Sequence, residues 1–181
     1  MTKRHVDESA AELTQLQAAR DEFVAQWGAM GSSWGINRTM AQIHALLMIT
    51  AQPLSTDEVM EDLKISRGNA HMNLRDLVGW GLVRSVIRKG ERKEFFEAEK
   101  EVWKIFCTIV RERKRRELRP AMNVLKDCAA RTEGLRLPEA QAFHQQTKAL
   151  HEFMEMADGV LGKVSRSEQN SIVPWALKFL R

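Results

Sequence analysis

From Pro53 onward the sequence predicts a helix, a tight turn and a second helix in direct succession, and this stretch constrains the fold more than any other. Ser55 or Thr56 can cap the first helix, because a side-chain oxygen there accepts from the free N–H groups of the first turn. Acidic residues follow in that turn, where they suit the positive helix N-terminus. Ser66 can cap the second helix in the same way. The pattern predicts a helix-turn-helix.

A β-hairpin rich in bases is predicted directly after the second helix. We expect that helix to cover residues 67–78 and to stop at Gly79 and Gly81. Two β-rich runs, residues 82–88 and 93–98, are then joined by a four-residue segment with a central glycine, Gly90, which is typical of a hairpin. Phe95 and Phe96 should point to opposite faces of the second strand. Together the elements predict a winged helix-turn-helix.

The polar side chains of this region favour a DNA partner. Arg and Asn pair bidentately with guanine and adenine in the major groove, while a basic hairpin holds phosphates beside it. The alternatives are a small basic α/β domain, a winged helix that binds protein, and a non-specific nucleic-acid binder. The predicted DNA contacts on the second helix are Ser66, Arg67, Asn69, His71, Asn73 and Arg75, and those on the hairpin are Arg84, Arg88, Lys89, Arg92 and Lys93.

The same residues resemble the GbsR branch of the MarR-type transcriptional regulators. The resemblance covers roughly residues 25–120, and its strongest marks are ISRGNAHMNLRDLVGWGLVR and KGERKEFFEAE. It implies a mainly α fold with a small β-hairpin wing, namely a MarR-like winged helix-turn-helix with N- and C-terminal dimerisation helices. His71 stands where relatives carry Ser, a departure that bears on base preference. We divide the chain into residues 1–35, 36–98 and 99–181, with the DNA-binding domain in the middle.

The N-terminal flank is predicted to be helical and to break before the DNA-binding domain. Apolar residues at helical spacing indicate an amphipathic helix over about residues 8–27. The glycine-rich stretch 28–35 should end it, either as a plain loop or as a seam beside a ligand pocket. Asn37 can cap the next helix, whose expected buried face is Ile36, Met40, Ile43, Leu46 and Leu47.

The C-terminal flank is predicted to form helices that build a dimer. A helix should begin near Glu99 with an apolar face that includes Val102 and Phe106, and Pro120 should kink or break it. The basic run 111–119 has two interpretations: it contacts phosphates, or, as we favour, it pairs with acids of the N-terminal helix. Another helix is expected over residues 139–161. The apolar segment 170–181 should dock across a two-fold dimer.

A homodimer follows from the size of the DNA site. One recognition helix reads only a few base pairs, so two copies would read half-sites about 34–36 Å apart. We therefore predict a homodimeric repressor on a palindromic operator. The family resemblance also implies control by choline or another osmolyte. Trp27, Trp34 and Trp103 are candidates for a cation–π cage around such an effector, although a plain core or interface role is the competing interpretation.

Composition and motifs argue against other classes of protein. The formal net charge is +4 at pH 7, which modestly favours an anionic partner. Two cysteines do not have a metal-ligand spacing, and the sequence lacks a phosphate-binding glycine loop, an HExxH motif and a nucleophile elbow. No run approaches a membrane span. We predict a cytoplasmic protein that is not an enzyme, with no cofactor, no metal and no membrane partner.

Overall fold

The structure is a computed structural model that describes residues 2–167, with side chains from Ser9 onward. Within these residues the chain divides into two compact units, with the boundary between Lys100 and Glu101. The first unit contains α1 Thr2–Ser33, α2 Arg38–Ile49, β1 Leu54–Ser55, α3 Thr56–Leu63, α4 Arg67–Trp80, β2 Val83–Ile87 and β3 Glu94–Ala98. The second contains α5 Val102–Arg113, a π-helical turn Lys114–Leu118, α6 Arg119–Thr132 and α7 Pro138–Arg166.

Helix α1 runs through most of the glycine-rich stretch in which a break was predicted. It ends only at Ser33, and Gly35 then adopts a φ of 75°. The buried Gly28 and Gly31 instead allow α2 to approach closely, since a Cβ on Gly31 would lie 2.6 Å from the Cβ of Ala41. These two glycines are packing residues, so the prediction of a loop from residue 28 was wrong.

Helix α2 forms as its sequence predicts. The Asn37 side chain accepts a hydrogen bond from the backbone N of Met40 at 3.1 Å, which confirms the predicted cap. The buried face includes Met40, Ile43, Leu46 and Leu47. This face forms the centre of the first unit's core, together with α4 and β3.

The helix-turn-helix is fixed by capping at both helix starts. Ser55 and Glu58 form a reciprocal capping box at the start of α3, and Lys64 turns the chain at a φ of 53°. Ser66 caps α4, whose end lies at Trp80 because Gly81 takes the left-handed conformation there. Gly79 lies inside the helix and does not stop it. The capping predictions are confirmed, and the predicted end was two residues short.

The hairpin belongs to a three-stranded antiparallel sheet of order β1-β3-β2. Its strands β2 and β3 lie close to the predicted runs, with Ser85 opposite Phe96. The added strand β1 pairs Leu54 with Phe96, and it was not predicted because two residues carry no periodic signal. Phe95 and Phe96 point to opposite faces of β3 and both are buried, so both faces of the strand are covered at this point.

The second unit begins later and packs on a different face than predicted. Helix α5 starts at Val102 with the Glu101 carboxylate as its cap, rather than near Glu99. Ile105, Cys107 and Thr108 are buried, whereas Val102 is 77% exposed and Phe106 is also exposed. The predicted apolar face of this helix was therefore wrong in part.

Pro120 does not break the helix that contains it. The chain passes from α5 through the π-helical turn Lys114–Leu118 into α6, and Pro120 lies in the first turn of α6. A wider turn before a proline accommodates the missing N–H, so the helix continues. Helix α7 also extends past the predicted end at residue 161. The predicted docking segment 170–181 lies outside the described residues.

Candidate nucleic-acid interface

The first two turns of α4 present polar side chains on the surface of the first unit. The Ser66 hydroxyl accepts from the backbone N of Asn69 at 3.4 Å, which fixes where the helix starts. Arg67, His71 and Arg75 are exposed along the helix, while Ala70, Leu74 and Leu77 face the core. The packing of the inner stripe therefore sets which side chains a duplex could meet.

Asn73 does not face outward as predicted. It is 1% exposed, and its Nδ2 donates to the Asn69 backbone O at 2.8 Å and to the Asn69 Oδ1 at 2.7 Å. Its spacing from Ala70 and Leu77 places it on the inner stripe, and its polar character concealed that position. Asn73 therefore orients Asn69 and has no free surface of its own.

Three predicted wing contacts, Arg84, Arg88 and Lys93, have structural partners within the first unit. Arg84 forms an ion pair with Glu97 on the neighbouring strand. The Arg88 guanidinium lies 4.2 Å from the centroid of the Phe95 ring and donates to the Pro53 backbone O at 3.1 Å. Arg88 thus anchors the base of the wing on β3 and on the residue before β1.

Asp57 is part of this surface and was not predicted from the sequence as a site residue. Its Oδ1 accepts from Arg67 Nη2 at 2.5 Å, and its Oδ2 accepts from Lys93 Nζ at 2.8 Å. The hydrogen bond from Lys93, followed by the charge of Arg67, lowers the pKa of Asp57. The same hydrogen bond raises the pKa of Lys93. Its acidic position in a helix first turn had suggested only a helix-dipole role.

Four predicted contact residues have exposed side chains that form no hydrogen bond or ion pair with the part of the chain that the structure describes. Two lie on the recognition helix α4 and two at the tip of the wing: His71, Arg75, Lys89 and Arg92. Gly90 has a φ of 88°, a conformation that glycine adopts readily, and it turns the tip between the two strands. These side chains can meet an anionic partner without first breaking an internal contact.

The three tryptophans of the predicted effector cage have separate surroundings. Trp27 lies against Phe23 and His44, with ring centroids 5.5 Å and 6.4 Å away. Trp34 is 61% exposed just after α1. Trp103, in the second unit, stacks on Phe106 at 5.3 Å and donates from Nε1 to the Ser167 backbone O at 3.4 Å.

The basic run 111–119 forms ion pairs within the second unit. Glu112 accepts from Arg115 at 2.6 Å and from Arg116 at 3.2 Å. Burial of the Glu112 carboxylate raises its pKa, but the hydrogen bonds and charges of the two arginines outweigh this effect, so the pKa is lowered. Lys114 pairs with Asp158 on α7. Acids of the same unit therefore balance part of the run.

Comparison with known proteins gives relatives at low identity. No protein-family model matches the chain. It is 22% identical over 97 residues to YvaV of Bacillus subtilis (strain 168), named as an HTH-type transcriptional regulator, and the match covers 54% of this chain and 55% of that protein. It is also 22% identical over 119 residues to the HTH-type transcriptional repressor GbsR of the same organism, covering 66% of each chain. The chain thus matches about half the length of the first relative and just under two thirds of the second.

A solved structure supports the fold. The crystal structure of a transcriptional regulator superposes with a TM-score of 0.54 at 19% identity, covering 82% of this chain and 99% of the other. The mainly α fold with a small sheet is confirmed, as is the resemblance to GbsR-type regulators at low identity. The relatives are named as regulators, a class without enzymatic activity, which agrees with the prediction that the chain is not an enzyme. Among residues 2–167, no helix is both long enough and apolar enough to cross a membrane.

Proposed function

We propose that this chain is a sequence-specific, DNA-binding regulator of transcription that acts as a homodimeric repressor of the GbsR/MarR type in the cytoplasm. The observation that carries the proposal is the exposed polar face of α4 beside a wing tip with two basic side chains that form no internal contact. Arg67 and Arg75 have the chemistry to bind guanine edges, and Lys89 and Arg92 the charge to bind phosphates. The names of the relatives support the same class.

Binding to DNA from the region upstream of the gene tests this function directly. Fluorescence anisotropy across a salt series should give saturable binding at least a thousandfold tighter than to a scrambled duplex, as is usual for specific regulators. Weak binding with the same affinity for both duplexes would instead indicate a non-specific binder. Absence of binding to any duplex would favour a winged helix that contacts protein.

The homodimer is proposed from an apolar surface on α7. Phe143 and Leu150 are seven residues apart, as are Phe153 and Val160, and all four are exposed. This spacing resembles the a and d positions of a coiled coil, which a second helix normally covers. Light scattering at micromolar concentration should give a dimer, and Phe153→Glu should shift it toward a monomer. A wild-type monomer would contradict the proposed assembly.

A small effector is the third part of the proposal. A quaternary ammonium such as choline would be held by aromatic faces, and Trp34 offers the most exposed ring of the three candidates. Choline should then shift tryptophan fluorescence and change DNA affinity, because an effector acts only through different affinities for two states. Trp34→Leu should remove both responses. An unchanged spectrum together with unchanged DNA affinity would exclude choline.

A further inference from the structure

Asp57 joins the recognition helix to the wing through two cations from different elements. Arg67 opens α4, Lys93 immediately precedes β3, and Asp57 lies in the first turn of α3. The carboxylate accepts from the two cations at 2.5 Å and 2.8 Å. One side chain therefore holds three elements together at a single point of the exposed surface.

Arg67 occupies the part of a recognition helix from which base edges are commonly contacted. Residues at the N-terminus of such a helix reach into the major groove, and a guanidinium pairs bidentately with guanine O6 and N7. Nη2 is the donor that Asp57 engages, and the Arg67 side chain remains 70% exposed. Asp57 thus restricts the guanidinium while its other donors stay available for a base.

Asp57 is negatively charged, whereas the side chains that it contacts are basic. A carboxylate at the interface repels phosphates, so it weakens contacts that do not depend on sequence. Exposed ion pairs contribute little to the stability of a fold, and both cations of this cluster are largely exposed. A penalty against unwanted partners is one of the two ways in which specificity arises.

We propose that Asp57 is a positioning residue for sequence discrimination: it aligns Arg67 for a guanine edge and reduces binding to DNA that lacks the site. This inference rests on the proposed DNA-binding function. Lys93, as the second partner, ties the wing to the same carboxylate. The same carboxylate thereby determines both the orientation of Arg67 on the recognition helix and the position of the wing against the DNA phosphate backbone.

The test compares Asp57→Asn with two control variants on two duplexes. One duplex carries a site that the wild-type protein has selected from a random-sequence pool, and the other is its scrambled version. Asp57→Glu retains the carboxylate. Asp76→Asn removes the same charge from an exposed position of α4 that has no hydrogen bond or ion pair to the described side chains.

Asp57→Asn should bind the scrambled duplex more tightly, with a steeper salt dependence, and its ratio of specific to non-specific affinity should fall about tenfold, within the discrimination that one bidentate contact gives. Repeated selection with this variant should lose a guanine preference at one position of each half-site. Asp57→Glu should keep most of the ratio. Asp76→Asn should change both affinities by the same factor.

Three results would overturn the inference. If Asp57→Asn changed both affinities equally, as Asp76→Asn should, Asp57 would contribute charge alone. If both affinities fell together with the thermal midpoint, the carboxylate would only hold the fold together. Retention of the guanine preference would show that Asp57 does not align Arg67. Failure of the wild type to select any site is a separate outcome, which would contradict the proposed function before any variant is compared.

Discussion

Lys114 Nζ lies 2.7 Å from the backbone O of Asp158, so a single buried ammonium ties the π-helical turn to α7. The same nitrogen lies 3.0 Å from Asp158 Oδ1, but that oxygen lacks a partner with hydrogen-bond geometry, so the carboxylate contact is electrostatic. Gly162 makes room for the lysine, since a Cβ there would lie 2.9 Å from Nζ. The contact therefore accounts for the absence of a side chain at this buried position of α7.

Replacing Lys114 should destabilise the second unit. Lys114→Ala leaves the Asp158 carbonyl and carboxylate without their cation, and it should lower the free energy of unfolding by about 2 kcal/mol. Urea denaturation at fixed protein concentration measures the change, with Lys126→Ala as an exposed control on α6. Equal midpoints for the two variants would show that the buried contact contributes nothing.

The close approach of α1 and α2 depends on Gly31. Gly31→Ala places a Cβ 2.6 Å from the Cβ of Ala41, so the helices must separate, at a cost of about 2 kcal/mol. Gly68→Ala is the matched control, since nothing lies within 4 Å of its Cβ and alanine is the better helix former. Thermal denaturation should show a lower midpoint for the first variant and an equal or higher one for the second. A Gly31→Ala midpoint no lower than that of the wild type would contradict this packing.

Local signals predicted the helix-turn-helix well. The caps at Ser55, Ser66 and Asn37 and the stop at Gly81 act within one turn of the chain, so a short sequence window contains all the atoms involved. The wing followed from the glycine at its tip and from β-rich flanks. These elements agree with prediction because their determinants are neighbours in sequence.

Tertiary contacts decided the features that the sequence did not predict. Gly28 and Gly31 have the composition of a loop, and only the position of α2 makes them helix-packing residues. The partners of Asp57 lie 10 and 36 residues away along the chain. Asn73 is a different case, because its helical spacing predicts the buried position that it occupies, whereas its polarity favours the surface.

His44 should make the first unit less stable in mild acid. Its side chain is 3% exposed, and burial lowers its pKa from 6.5 to about 4. In the unfolded chain His44 takes up a proton as the pH falls below 6.5, whereas in the folded chain it stays neutral until about pH 4. Stability is therefore lost across this window. The loss from this group between pH 7 and pH 5 is about 2 kcal/mol.

His44→Leu isolates this effect from the other histidines. Urea denaturation at the two pH values should show a smaller loss of stability for the variant than for the wild type, by about 2 kcal/mol. The leucine also removes a buried Nε2 that has no hydrogen-bond partner in the described structure. Equal pH dependence of the two proteins would mean that His44 has the same pKa in the folded and the unfolded chain, which would contradict the lowered pKa.

Arg88 should contribute to stability, whereas its neighbour Lys89 should not. Arg88→Ala removes the contact with the Phe95 ring and the hydrogen bond to the Pro53 O, which together are worth about 1–2 kcal/mol. Lys89→Ala is the control in denaturation experiments, since its side chain is exposed at the wing tip. If both variants unfolded at the wild-type midpoint, the anchoring role of Arg88 would be excluded.

The salt dependence of DNA binding tests the central claim most directly. Lys89→Ala/Arg92→Ala removes the two unengaged bases of each wing tip and leaves Arg88 in place. The slope of log affinity against log salt is negative, and each lost phosphate contact reduces its magnitude by about 0.9. A dimer loses four such contacts, so its slope should become less steep by about 3.6. Lys126→Ala/Lys148→Ala, which removes the same charge from the second unit, should keep the wild-type slope. Equal slopes for all three proteins would contradict a wing that binds the phosphate backbone.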